Sequence, residues 1–466
     1  MSSKRLRRAA VIGSPVSHSL SPAMFQYIVD HEEIPLEYQA KELKEAELES
    51  FLKQLRKDPF QVGVNVTIPF KEKVGEFLDE VSPDAKALGA VNVIFNDNER
   101  LKGYNTDVIG IEKTLDHAEL SLSKKSALML GAGGAAKAVA FVLGKMNLST
   151  VYIYNPRSTR GEELAKQFQT LCPDTRFQTV ASLDEVKEKL SLVVNTTPIG
   201  MKESDDVSLF DGLKALSFEP SALAFDLIYT PLLTPFLKQS RELGLKIENG
   251  LRMLVEQALA TYEIWIGSLK DAKFKKEDLL SYLRGVLAIR QNQGPVFLAG
   301  FMGAGKTTVG RSLSKITART FVDTDQEIES SARQSVADIF ASYGEPEFRR
   351  LETLAIERFT RSEGCIVSLG GGALMKEENL KMILETGTLV YLRADEALLL
   401  DRLNRSKQNR PLMANLSDEE RREKIGSMLK VRGPVYERAH LIVEVEESEH
   451  RVAQAILIGM GERACA

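Results

Sequence analysis

Two sets of residues in this 466-residue chain have the types and spacing to do chemistry. The first centres on Lys71, which closes the run Asn65-Val-Thr-Ile-Pro-Phe-Lys71, and Asp107, which closes Asn105-Thr-Asp107. An ammonium and a carboxylate brought together form an acid/base pair able to pass a proton to or from a carbonyl oxygen during hydride transfer. Ser17-His-Ser-Leu-Ser-Pro22 and Ala90-Val-Asn92 add hydroxyls and amides. Any one of these four segments also fits a capped turn. Together, at the ends of apolar runs, they suit a crevice for a small polyhydroxylated acid. The second set starts at Phe297-Leu-Ala-Gly-Phe-Met-Gly-Ala-Gly-Lys-Thr307, which fits G-x-x-x-x-G-K-[ST]. Glycines let backbone N–H groups wrap phosphates, Lys306 can reach the terminal phosphates, and the Thr307 hydroxyl can ligate Mg²⁺. Asp323-Thr-Asp325 then offers two carboxylates near a metal and an acceptor hydroxyl. Arg349, the bare backbone of Gly370-Gly-Gly372, and Arg410-Pro-Leu412 in a polar stretch readable as a lid complete it.

Placing these groups requires strands that end in loops. Leu128-Met-Leu-Gly-Ala-Gly-Gly-Ala-Ala-Lys137 reads as a strand, a glycine turn and a helix over 135–146. Gly131 permits the turn, Gly133 lets a pyrophosphate approach, Ala136 keeps helix and strand close, and the helix N-terminus offers free N–H groups. A second strand over 151–155 ends in Asn155-Pro-Arg-Ser-Thr-Arg160 with no acid to hold ribose hydroxyls. Two guanidinium groups instead suit a 2′-phosphate, which favours NADP over NAD, although a solvated basic loop would look the same. Apolar runs at 9–12, 63–66 and 91–95 read as strands, and 43–55, 71–78 and 253–266 as helices. The polar, turn-prone Ala288-Ile-Arg-Gln-Asn-Gln-Gly294 reads as a linker. The expected architecture is α/β throughout, with a substrate lobe, a Rossmann nucleotide lobe and a second phosphate-loop domain.

The bulk properties narrow the function classes. Hydrophobic content of 43% and charged content of 27% are globular, and the formal net charge of −4 comes without a basic domain, which argues against nucleic acid as a partner. Cys172, Cys365 and Cys465 are few, scattered and odd in number, as expected in a reducing compartment. His18, His31, His117, His440 and His450 show no metal-ligand spacing. The apolar run after the basic start is too short for a signal peptide, and no run is long enough for a membrane span, so a cytoplasmic protein is expected. Monomer and homodimer are not distinguished.

Over residues 9–286 the chain resembles shikimate dehydrogenases. It carries S-x-S, N-V-T-I-P-F-K, A-V-N, N-T-D, G-A-G-G-A, Asn195-Thr-Thr-Pro-Ile-Gly-Met201 and Asn249-Gly-Leu-Arg-Met-Leu-Val-Glu-Gln257 in order. The resemblance implies that Ser19, Ser21, Asn65, Thr67, Asn92, Tyr229 and Gln257 hold the substrate, with Lys71 and Asp107 as the catalytic pair. NADP(H) would meet Gly131, Ala132, Gly133, Gly134, Ala135, Asn155 and Gly250. The family commonly has N-R-T after the second strand. Pro156 here displaces the arginine and leaves open whether Arg157 or Arg160 takes the 2′-phosphate.

Residues 295–445 resemble shikimate kinases, through G-F-M-G-A-G-K-T, D-T-D, G-E-x-x-F-R, G-G-G, R-P-L and the R-x-P-x-Y of Arg432 and Tyr436. That implies ATP on Gly303, Ala304, Gly305, Lys306, Thr307, Thr308 and Arg410, and Mg²⁺ on Thr307 and Asp323. Shikimate would lie on Asp325, Arg349, Gly371, Gly372 and Arg432. Lys306, Asp325 and Arg410 would be catalytic, and either Arg402 or Arg405 would meet the adenine. The expected layout is a substrate lobe of 1–107 plus about 250–287, a Rossmann lobe of 108–249, a linker of 288–294, and a P-loop domain of 295–466 like the nucleoside monophosphate kinases. The expected activity is reduction of 3-dehydroshikimate followed by phosphorylation of shikimate. The alternatives are a quinate/shikimate dehydrogenase joined to another small-molecule kinase, or one half kept as an inactive ligand sensor.

Overall fold

The computed structural model describes residues 6–155, 158–291, 294–362, 364–405, 416–446 and 448–464. The chain divides into two compact units, Met1–Lys276 and Glu277–Ala466.

The first unit has two lobes. One is a six-stranded mixed sheet in the spatial order Leu36–Glu42, Arg7–Gly13, Gln61–Val66, Val93–Asp97, Arg100–Tyr104, Glu80–Val81. Ile12, Val64, Val66 and Ile94 pack from it against Leu52, Phe70 and Val74. The other lobe is all parallel, in the order Lys246–Glu248, Phe218–Asp226, Leu190–Asn195, Ser126–Leu130, Thr150–Tyr154, Arg176–Val180. Strands buried on both faces read as unbroken apolar runs, and the two faces separate here residue by residue. Met129, Ile153 and Val194 join one core, while Leu128, Leu130, Tyr152 and Val193 join the other. Strand order reverses beside Ser126–Leu130, which opens a crevice at the carboxyl ends of the strands. The helix Gly250–Trp265 carries the chain back to the first lobe, where the Trp265 indole donates to the Ile94 carbonyl at 3.1 Å. Its ring centroid lies 5.7 Å from that of Phe25 and 6.4 Å from that of Tyr38.

The second unit is a five-stranded parallel sheet in the order Thr320–Asp323, Cys365–Ser368, Val296–Ala299, Thr388–Arg393, Leu441–Glu444. The glycine loop thus leaves its central strand. The long helix Val336–Thr360 is broken at Gly344, whose φ of 79° interrupts the helix so that Arg349 sits in the first turns of the second segment.

Three sequence expectations are corrected. Residues 71–78 form a 3₁₀ turn, Val74–Phe77, instead of an α-helix. The expected linker 288–294 begins as the last turn of the helix Lys276–Gln291, with Ile289 buried; Asn292 and Gln293 lie outside the described residues. Residues 277–287, expected in the substrate lobe, fall in the second unit with the rest of that helix. The polar composition of the segment misled, because Ala288 and Ile289 continue the apolar period set by Leu279, Leu283 and Val286, while Arg290 suits a helix end. A methyl on Gly285 would overlap the Leu457 carbonyl, and one on Gly461 would overlap the Ser281 carbonyl, so this helix and Glu449–Arg463 touch backbone to backbone. Gly285→Val is therefore expected to cost about 3 kcal/mol and to lower the thermal inactivation midpoint of the second unit by roughly 6–12 °C. An unchanged midpoint would mean that the helix is not part of that unit's packing.

Candidate active sites

In the first unit, Lys71 and Asp107 form an ion pair, Nζ to Oδ2, at 2.7 Å. Asp107 opens the helix Asp107–His117, and its other oxygen accepts from the Asn92 amide at 2.8 Å. That amide also donates to Thr106 Oγ1 at 3.1 Å, and the Asn92 oxygen accepts from the Thr106 N–H at 2.7 Å. Asn92 thus braces the pair from behind. Thr106 lies 3.4 Å from Gln257 Oε1 and 3.3 Å from Thr261 Oγ1, while Asn65 Nδ2 donates to Thr261 Oγ1 at 3.4 Å. The Ser21 N–H donates to Ser19 Oγ at 3.1 Å. Half-buried Thr67 continues the Asn65 strand, its N–H bonded to the Ile12 carbonyl at 2.9 Å. The expected substrate residues of this lobe share one polar network with Lys71 and Asp107 or flank it. Sequence reading missed Tyr38 and Thr261, although Thr261 is one helical turn beyond Gln257 and shares its face, and it gave Thr106, inside Asn105-Thr-Asp107, no role of its own.

In the parallel lobe, Gly131 has φ of 104°, and a methyl there would meet Thr196 Oγ1 and Thr197 Cγ2 at 2.8 Å. The Asn-Thr-Thr-Pro segment therefore lies directly over the glycine turn. Gly133 caps the helix Gly134–Lys145, and a Cβ on Gly133 or Gly134 would meet nothing within 4 Å, so the helix N–H groups face open space fit for an anion. Ala132 and Ala135 stand beside these glycines, and Asn155 is half-buried just past the second strand. Arg160 is exposed in the first turn of Ser158–Leu171; Arg157 lies outside the described residues. The buried Asp226 carboxylate accepts from Thr234 at 2.5 Å, the Ile228 N–H at 3.0 Å and Asn195 at 3.1 Å. Burial pushes its pKa up to about 6, against the pull of these three bonds. It ties Asn195, which holds Thr197, to the loop bearing half-buried Tyr229. Gly250 joins the same loop through the Ile228 carbonyl at 3.0 Å.

In the second unit, Gly303 and Gly305 take φ of 88° and 90°, Ala304 between them is buried, and Lys306 starts the helix Lys306–Thr317 with Thr308 exposed beside it. The Lys306 ammonium donates to the Gly300 and Phe301 carbonyls at 2.9 and 3.1 Å. Thr307 donates to Asp323 Oδ2 at 2.8 Å, and Asp323 Oδ1 caps the next helix at the Asp325 N–H. Asp325 Oδ1 and Glu352 Oε1 are buried with no hydrogen-bond partner among the described residues, and each would lie within 2.8 Å of a Cβ on Gly370. Burial raises the pKa of both, helped by Asp323 at Asp325 and opposed by Arg349 at Glu352. Arg349 pairs with Glu352 Oε2 at 2.8 Å, and a methyl on Gly372 would lie 2.5 Å from its Nη2. The Gly371 carbonyl accepts from Arg432 at 2.8 Å and from the Tyr436 hydroxyl at 2.6 Å. Asp325, Arg349, Gly371, Gly372 and Arg432 therefore border one place. Tyr436 of the R-x-P-x-Y motif joins it, and so does Glu352, which was given no role although it stands one turn after Arg349. Arg402 reaches the Gly303 carbonyl at 3.4 Å, whereas Arg405 pairs with Asp401 in solvent. Arg410 lies outside the described residues.

A reversing parallel sheet with a glycine turn, beside a lobe carrying a lysine–carboxylate pair, is the layout of a dinucleotide-binding enzyme, and the second unit is a P-loop nucleotide-binding domain. Residues 11–94 match the shikimate dehydrogenase substrate binding domain, and residues 302–460 match shikimate kinase. The shikimate dehydrogenase (NADP(+)) of Caldicellulosiruptor bescii is 36% identical over 261 residues, 56% of this chain and 89% of that protein. The shikimate 5-dehydrogenase of Thermus thermophilus, solved with NADP(H) and shikimate, is 36% identical with a TM-score of 0.50, covering 56% of this chain and 94% of its own. A chorismate mutase/shikimate 5-dehydrogenase fusion from Clostridium acetobutylicum is 30% identical with a TM-score of 0.51, covering 60% and 97%. The chain belongs to the shikimate dehydrogenase family, and with its shikimate kinase domain it is a bifunctional shikimate-pathway enzyme. Among the described residues, no helix is long and apolar enough to cross a membrane.

Proposed function

We propose that the first unit reduces 3-dehydroshikimate to shikimate with NADPH and that the second phosphorylates shikimate to shikimate 3-phosphate with MgATP. The observation that carries this is the Lys71–Asp107 pair, braced by Asn92 and opening onto the hydroxyls and amides of one crevice. The open space over Gly133 and Gly134 fits a pyrophosphate, and Arg160, with Arg157 in the same segment, would take the 2′-phosphate. NADPH, when bound, supplies the hydride. Lys71 gives a proton to the carbonyl oxygen, and Asp107 holds the ammonium and the new hydroxyl in place.

In the second unit, a hydroxyl next to a carboxylate suits Mg²⁺, a hard cation that takes oxygen ligands. Thr307 and Asp323 would hold it, and it would neutralise phosphate charge. Arg349 and Arg432 would hold the shikimate carboxylate. Asp325 Oδ1, buried and without a hydrogen-bond partner among the described residues, would accept the acceptor hydroxyl's proton, although such phosphoryl transfers need little base. Arg402, which touches the loop, fits the adenine side better than Arg405, and Arg410 would close over the phosphate. With Cys172 and Cys365 free, the reading places the enzyme in the reducing cytoplasm.

The test supplies 3-dehydroshikimate, NADPH and ATP to the purified chain. NADPH should be consumed without ATP, and shikimate 3-phosphate should appear only with it. Shikimate that accumulates beside untouched ATP would reassign the second unit to another acceptor. A charge-assisted hydrogen bond contributes about 1.5–3 kcal/mol, so NADP should exceed NAD by about 10- to 100-fold in kcat/KM. Replacing Arg157 and Arg160 together should remove most of that gap. Equal use of both cofactors by the native chain would contradict the assignment.

A further inference from the structure

We propose that Tyr38 is a positioning residue of the dehydrogenase site, which fixes Asn65 so that its amide N–H, and not its oxygen, faces the substrate. This rests on the reading of the first unit as a shikimate dehydrogenase. The amide orientation follows from its neighbours. The Thr261 hydroxyl donates to the Gln257 main-chain carbonyl at 2.9 Å, one turn back in its own helix. Its oxygen is then an acceptor, and Asn65 meets it with Nδ2 at 3.4 Å. The Asn65 oxygen must consequently face the other way, where the Tyr38 hydroxyl donates to it at 2.8 Å. One N–H of Asn65 is left over, and it is the only polar hydrogen this side chain can offer a ligand.

Tyr38 is well placed to hold that geometry. It stands in the strand Leu36–Glu42, 7% exposed, with its ring stacked on Phe25 at 4.2 Å and 3° between planes. Burial pushes its pKa far up, with a Ser21 hydrogen bond pulling weakly the other way, so the hydroxyl stays a donor at any working pH. Through that bond one phenol touches both Ser21 and Asn65, two of the expected substrate contacts. An acceptor oxygen on the ligand, such as a carboxylate or hydroxyl oxygen, is what such a site selects.

The experiment uses the full chain and the oxidation of shikimate by NADP⁺. Tyr38→Phe keeps the ring stack and removes only the hydroxyl. A freed Asn65 amide should raise KM for shikimate about 10-fold, with kcat within about 2-fold and KM for NADP⁺ unchanged. In an Asn65→Ala background the same change should raise KM by no more than about 2-fold, the share left to the Ser21 contact, because the amide it positions is gone. An unchanged KM for NADP⁺ in the same samples shows that the dehydrogenase unit is folded. A Tyr38→Phe KM within about 2-fold of the parent, or a rise of about 10-fold that persists in the Asn65→Ala background, overturns the proposal. Absence of shikimate oxidation by the unaltered chain would instead defeat the functional reading, and the role of Tyr38 with it.

Discussion

Lys71→Ala is expected to lower dehydrogenase kcat by about 10³-fold, since a positioned proton donor contributes roughly 10²–10⁴-fold. The Nζ–Oδ2 distance of 2.7 Å seats the Lys71 ammonium directly on the Asp107 carboxylate. Alanine removes the proton and leaves a partly buried Asp107 carboxylate without its cation. That carboxylate would then face the substrate's carbonyl oxygen as negative charge develops on it, which compounds the loss. The nucleotide loop lies on other elements, so NADP(H) affinity measured by nicotinamide fluorescence should hold. Kinase turnover should hold as well, because the second unit has its own core and loop. A loss below about 10-fold would reassign the proton donor, and Asp107 would be the next group to replace.

The mirror experiment is Lys306→Ala, expected to lower kinase kcat by at least about 10³-fold with dehydrogenase turnover unchanged. Phosphoryl transfer depends almost wholly on positioning and on neutralising charge, and Lys306 contributes to both. Its ammonium bonds the Gly300 and Phe301 carbonyls and so helps shape the loop that must later cradle phosphate. Removing it leaves two carbonyl oxygens pointing into an anion site. Lys306→Arg should not restore activity, because a planar guanidinium does not replace a compact ammonium inside a tight loop. Kinase turnover above about a tenth of the parent would show that Arg402 or Arg410 carries the phosphate charge instead.

The two phosphate loops were legible in the sequence because their chemistry is local: glycines, a preceding apolar run and a following helix within about a dozen residues. The Lys71–Asp107 ion pair was legible as two segment ends, although their meeting depends on Val93–Asp97 pairing with both Gln61–Val66 and Arg100–Tyr104. The bracing of that pair was not. Asn65 and Thr261 are 196 positions apart, and Thr106 and Thr261 are 155 apart. No spacing rule links a threonine on one helix to an asparagine at the end of a distant strand. Asp226 was passed over for a related reason: its buried bonds run to Asn195, Ile228 and Thr234, and only the fold brings Asn195 there. The misplaced linker shows the opposite failure. Composition over 288–294 outweighed a helical period that had already been running since Leu279, and the glycines that seat the helix on its neighbour carry no apolar signal.

Trp265 is the chain's single tryptophan, and it stands beside Phe25 and Tyr38 behind the Asn65 side of the crevice. A protein with two sites for the same small acid ordinarily gives one blurred equilibrium titration. Here the indole is an optical probe confined to one site's surroundings, with its N–H fixed on the Ile94 carbonyl. Shikimate added to the intact chain is expected to change indole emission as the dehydrogenase crevice fills, while calorimetry on the same solution sums the heat of both sites. Subtracting the first isotherm from the second resolves two affinities for one ligand on one polypeptide without cutting it or disabling either half.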